Sequence, residues 1–443
     1  MTKKDHANKD VEEKPKKKIP PHIKLLFISD SYLIDLECLR EMFASVLPVL
    51  KDKDKKRKEI VEKIISRATQ GIGEEEQEEN GSEDNDKKIN IPRGDIINIY
   101  SNIRKINRGR ELFKQQLTVS LISRFDEFLG QLLKIVLRIH PEWLKSSDKT
   151  ITYKELVNLE SIEKAIIGLI HKEVENLLRG SHEDQIKFID EKLKLGIQNS
   201  FTRLPEFLEV TERRNLCVHT GGKVSQQYLD RCEIFGVKNT DSISVGSSLD
   251  IDETYFNNAF SLCFELGLRI SQAAYRRLFP EELEAADRSI NELAIKFLNS
   301  GDYNLAEVVC GFYLGIPDKL RSKNNEFNYF AIINRAIAQK FAGEKFEDGL
   351  QGVHWQAFHP KYALALHVLH DEYEKAGEAM KTAAIQESVG QIGFRAWPLF
   401  KEFRTTNIFK ETYLELYKEE YVPDPEKDLE DKSLSKGLIL NDS

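Results

Sequence analysis

The sequence predicts an all-α protein, and three features carry that prediction. Apolar residues recur at helical steps over most of the chain, as in Leu117, Leu121, Phe125, Phe128, Leu132 and Val136. Charged residues make up 31% of the composition against 40% hydrophobic, a mix that favours helix-rich globular architecture. The single stretch with strand character, residues 233–253, is short and bounded by glycines. At 443 residues the chain is too long for one ordinary core, so two or three domains are expected.

Taken in order, residues 1–22 form a basic tail expected to be disordered. Residues 23–68 read as helix, with Leu36, Leu39, Phe43 and Val46 at helical spacing and Pro48 as the expected break. Within this N-terminal extension of residues 23–92, residues 69–88 turn polar and strongly acidic and are expected to be a disordered loop. Between 93 and 279 the stripe at 117–136 marks a long helix. A second helix is expected over 161–179, with Ile166, Ile170, Val174 and Leu177 inward, a third over 182–195, and a fourth from Leu204 to Gly221-Gly222. Ile243 and Val245 alternate with serines and predict an inserted β-hairpin. A long closing helix carries Phe256, Phe260, Cys263, Leu266, Ile270 and Ala273 on one face, completing a helical bundle.

Residues 280–421 are richer in alanine. Four aromatic-to-small pairs, Tyr303/Ala306, Phe346/Gly349, Tyr373/Ala376 and Phe409/Thr412, resemble the tetratricopeptide pattern, at uneven spacing. That resemblance implies an extended surface for a protein partner or sensor ligand. Residues 422–443 form a polar tail, expected to be disordered.

The net charge is −8, so any nucleic-acid contact must come from a local patch. The five cysteines are scattered without framework spacing, which points to reduced thiols and a cytoplasmic setting. No apolar run approaches the ~20 residues of a membrane span, and no membrane partner is expected. His354, His359, His367 and His370 gather in one region without cysteine partners and read as core or surface histidines. No metal and no cofactor is expected. Gly221-Gly222-Lys223-Val224-Ser225 lacks the upstream glycine and strand of a phosphate-binding loop.

The stretch ERRNLCVHTGG, residues 212–222, admits two readings. In one, Arg213, Arg214 and His219 are cations complementing a helix C-terminus that glycine stops. In the other, Arg214, Asn215 and His219 form an RNxxxH string within a bundle of long helices. That string and its setting, over residues 93–279, resemble the HEPN superfamily. The resemblance implies a metal-independent endoribonuclease, a toxin or antiviral defence effector acting on RNA. In it Arg214 would hold the phosphate, His219 would act as general base or acid on the ribose 2′-hydroxyl, and Asn215 would orient the imidazole or the phosphate. Arg213 would add an RNA contact, and Asp126 or Glu127 could face the cleft. Gly221 stands where some relatives carry a modifiable tyrosine, so that mode of control is not implied. Arg214 and His219 lie about 140° apart on an ideal helix. Family members resolve that divergence by dimerising, so the resemblance implies a homodimer whose two motif helices build one cleft. The alternative is a non-catalytic HEPN scaffold that binds RNA or protein.

Overall fold

The computed structural model describes residues 19–70, 93–146, 161–238, 243–351, 353, 355 and 359–423. Among the described residues the secondary structure is helical throughout and no strand forms. Two long helices, α1 (Pro21–Gln70) and α2 (Arg93–Ile139), pack along one another. At 1.5 Å per residue each runs for about 70–75 Å. Helices α3 (Ile162–Arg179), α4 (His182–Leu193), α5 (Leu204–His219), α6 (Gln226–Phe235) and α7 (Glu253–Leu278) complete the bundle. Serine and aspartate side chains cap the starts of several of these helices. Ser161, Ser181, Ser225 and Asp252 each accept a first-turn backbone N–H.

The chain continues through α8 (Leu283–Asn299), α9 (Tyr303–Leu314), α10 (Glu326–Phe341), α11 (Pro360–Leu369), α12 (Tyr373–Ile385) and α13 (Asn407–Tyr417), with shorter turns of helix between. Helices α8, α9 and α10 pack on one another, as do α11 with α12 and α12 with α13. A continuous apolar core runs from Leu25 on α1 to Tyr413 on α13. No helix among the described residues is long and apolar enough to cross a membrane.

Pro48 does not break α1. A proline removes one helical hydrogen bond, and here the flanks hold the helix in place. Phe43 is buried and stacks on Phe256 of α7 with ring centroids 4.0 Å apart. Beyond Pro48 the residues with reduced exposure are Leu50, Asp54, Arg57, Val61 and Ile64, steps of four and three that trace a coiled-coil seam. Asp54 in that seam pairs with Arg57 at 3.6 Å and with Arg110 of α2 at 3.5 Å. The stretch expected as an acidic loop begins, at Thr69 and Gln70, as the last turn of α1. Residues 71–88 lie outside the described residues, as do most of the N-terminal tail, residues 424–443 and His354.

Two other expectations are modified. Ile166 is exposed, and Ala165, one position earlier, takes the buried place beside Ile170 and Val174. The β-hairpin expected over 233–253 takes another form. Glu233–Phe235 close α6, and residues 239–242 lie outside the described residues. The segment that follows makes a single antiparallel bridge, Lys223 with Ser248. Val224 donates to the Ser247 carbonyl and Gly246 to that of Val224, both at 2.9 Å. Ile243 packs on a small cluster of Leu216, Val224, Tyr228 and Cys232, while Val245 is exposed. The alternation reflects one face in and one face out, paired with the chain just after α5.

The bundle depends on a close approach between α1 and α7 at Gly267. A methyl group there would overlap the edge of the Tyr32 ring. That ring is buried, stacks on Phe128 and donates its hydroxyl to the Cys263 carbonyl at 2.7 Å. Gly267→Ala is therefore expected to destabilise the fold by about 1–3 kcal/mol through overpacking, although alanine is the better helix former by about 1 kcal/mol. Urea denaturation would show a lowered midpoint. Tyr32→Leu in the same chain should relieve part of the clash.

Candidate functional site

Helix α5 begins with Pro205 in its first turn and ends at His219, capped by Thr220 and followed by Gly221 and Gly222. Both glycines are left-handed, with φ of 64° and 84°. They let the chain curl back so that the N–H groups of Thr220 and Gly222 both reach the Leu216 carbonyl, at 2.9 and 3.0 Å. Gly222 is also held by space, since a Cβ there would lie 2.6 Å from Nε2 of Gln115. That same Nε2 donates to the Gly221 carbonyl at 3.3 Å. Ser225 caps α6 and Val224 is buried, so Gly221–Ser225 serves as a turn between helices and builds no phosphate cradle.

Arg213 departs from its expected place. Its side chain is interior, and Nε donates to Glu209 at 2.9 Å. Nη1 donates to the Asp250 carbonyl at 3.2 Å, and the guanidinium lies 4.3 Å from the centre of the Tyr255 ring. Glu209 also accepts the hydroxyls of Tyr228 at 2.6 Å and Tyr255 at 2.9 Å. Burial and the neighbouring carboxylate hold both phenols well above their ordinary range. Nearby Lys114 of α2 pairs with the Asp250 side chain and holds its carboxyl below the usual range, though partial burial opposes this. Burial and these partners leave little of the Arg213 side chain exposed for the RNA contact expected of it.

Arg214 lies on the opposite flank of α5, partly exposed. Its Nη1 donates to Oδ1 of Asn215 at 3.2 Å, and Nη2 stands 3.7 Å from Oδ2 of Asp126 on α2. Asn215 is committed locally, since its amide also donates to Glu212 at 3.3 Å. Its side chain supports Arg214, and no side-chain hydrogen bond joins it to His219 among the described residues. His219 occupies the last turn of α5, exposed, and its side chain has no hydrogen-bond partner among the described residues. The structure therefore joins Arg214, Asn215 and Asp126 and leaves His219 apart, as the helical angle requires. Glu127 faces elsewhere and pairs with Arg124 at 2.8 Å.

His182 carries no signal in the sequence. It opens α4, and its Nε2 lies 2.8 Å from Oδ1 of Asp126. Just before the two arginines on α5, Glu212 lies 3.5 Å from Arg231, which also reaches Glu183 at 3.4 Å. Burial pushes the Cys217 thiol up to about 11, which disfavours its thiolate form. In the C-terminal helices His367 pairs with Glu372 at 2.7 Å and His370 lies against the Phe346 ring. Among the described residues no cluster of three or more His, Cys, Asp or Glu side chains could hold a metal ion.

No protein-family model, no curated protein and no solved structure matches this chain.

Proposed function

We propose that the chain is a metal-independent endoribonuclease of the HEPN type, with Arg214 and His219 as its catalytic residues. The observation that carries this reading is a braced, partly exposed Arg214 on the same helix as an exposed His219 whose side chain has no partner among the described residues. An arginine fork suits a phosphate, and an exposed imidazole suits proton transfer near neutral pH. The 2′-hydroxyl of the substrate would lose its proton to His219 and attack the adjacent phosphorus. The 5′-oxygen would leave with a proton returned from the imidazolium, yielding a cyclic phosphate end. Arg214 would stabilise the charge that builds on the phosphoryl oxygens. Because the two side chains diverge by about 140° around α5, one cleft requires two copies of the chain meeting at this helix. The C-terminal helices, read as tetratricopeptide-like, would then serve a protein partner or a sensed ligand.

The test is cleavage of total RNA by the purified chain in EDTA, beside His219→Ala. A loss of about 10²–10⁴-fold in the variant is expected for removal of a general acid–base group. Equal cleavage by both proteins would place the activity elsewhere, and no cleavage by either would favour the binding-scaffold reading. Light scattering at micromolar concentration should report a dimer.

A further inference from the structure

The histidine connected to the motif arginine is His182, which lies outside the Arg-Asn-His string. We propose that His182, acting through Asp126, is a positioning residue that presents the Arg214 guanidinium to phosphate. This rests on the nuclease reading of the site.

Three helices converge on the Asp126 carboxylate. His182 of α4 takes Oδ1 at 2.8 Å, leaving Oδ2 to face Arg214 of α5 at 3.7 Å. The His182 side chain is 12% exposed, against 29% for Asp126 and 27% for Arg214, so the bracket runs from the interior outward. The imidazole is held in place by Phe125 of α2 and Phe207 of α5, each with its ring centroid 6.4 Å away. A carboxylate fixed at one oxygen has a fixed plane, which gives its second oxygen one direction. The Asp126–Arg214 contact is long for an ion pair. Asp126 therefore biases the guanidinium without saturating its donors, and Nε of Arg214 is buried with no partner among the described residues.

The surrounding charges are already committed. On α2, Arg124 pairs with Glu127 at 2.8 Å and reaches Asp35 of α1 at 3.7 Å. Glu183 of α4 and Glu212 of α5 share Arg231 of α6. Without the His182 bond, Asp126 would be free to turn. It could close onto Arg214, and that movement would displace the phosphate-binding fork. A displacement of about 1 Å at a positioning group can cost 10²-fold in rate.

The experiment uses the full chain in single-turnover RNA cleavage with His182→Ala, His182→Gln, Asp126→Ala and the Asp126→Ala/His182→Ala pair. His182→Ala is expected to slow the chemical step about 10- to 100-fold with KM nearly unchanged. His182→Gln, whose amide can still donate to Asp126, should recover most of that loss. The double variant should be no slower than Asp126→Ala alone, because both changes remove the same bracket. Losses that multiply would overturn the proposal, as would a glutamine variant as slow as alanine. A rate loss that follows the melting temperature across the series would do the same. If the wild-type chain cleaves no RNA, the nuclease reading fails while the bracket is still measurable. The Nε–H resonance of Arg214 in ¹⁵N-arginine-labelled protein should shift or broaden in His182→Ala and return in His182→Gln. A resonance unchanged by His182→Ala would sink the inference.

Discussion

Replacing Asp287 with alanine is expected to destabilise the protein by about 3–5 kcal/mol, the cost of leaving one member of a buried ion pair alone. Arg276, near the end of α7, and Asp287, on α8, meet at 2.6 Å with side chains 1% and 0% exposed. Burial pulls the arginine below its ordinary value, and Asp287 opposes that pull by favouring its charged form. The pair also anchors neighbouring backbone. Arg276 donates to the Leu320 carbonyl at 2.8 Å, and Asp287 accepts the Ser322 N–H at 2.8 Å. One interaction thereby ties the closing helix of the N-terminal bundle to α8 and to the turn after α9. Urea denaturation followed by circular dichroism would read the loss. An Arg276→Met/Asp287→Leu double variant is expected to be markedly more stable than Asp287→Ala, since it removes both charges from the interior. A double variant as unstable as the single one would mean that the backbone contacts, and not the uncompensated charge, dominate.

The α-helical class was legible because its cause is local. The stripe from Leu117 to Val136 is buried from end to end, and α3, α4 and α5 begin and end within a few residues of their sequence signals. The continuity of α1 through Pro48 was not legible, because the seam holding the distal half is set by α2, far away in sequence. Gly267 gave no signal either: nothing in a helical pattern says that Tyr32, on another helix, will need the space. At the candidate site the sequence could set the angle between Arg214 and His219, a property of one helix. Assigning Arg213 to the interior was beyond it, since Glu209, Tyr228, Tyr255 and Asp250 come from three further segments besides its own turn. His182 was missed for the same reason, its partner Asp126 being 56 residues earlier.

Arg213 supplies the sharpest separation between fold and site along α5. Arg213→Ala is expected to cost about 3–5 kcal/mol, because it strands the Glu209 carboxylate in the interior. The two phenols can each donate one hydrogen bond to Glu209, but neither brings a positive charge. Arg213→Lys keeps that charge while losing the fork that spans Glu209 and the Asp250 carbonyl, so an intermediate loss is expected. His219→Ala, at an exposed position without partners, should stay within about 0.5 kcal/mol of wild type. The network should also show in the alkaline limb of stability. Tyr228 and Tyr255 titrate higher in the folded chain than free, so their contribution is whole at neutral pH and is lost as pH rises past about 10. Thermal melts of the three variants, with wild type carried from pH 7 to 11, check these statements together. An Arg213→Ala protein as stable as wild type, with weaker RNA binding and a salt slope reduced by about one, would return Arg213 to the surface. Destabilisation with an unchanged salt slope in the folded fraction would fix it as the cation around which the motif helix is built.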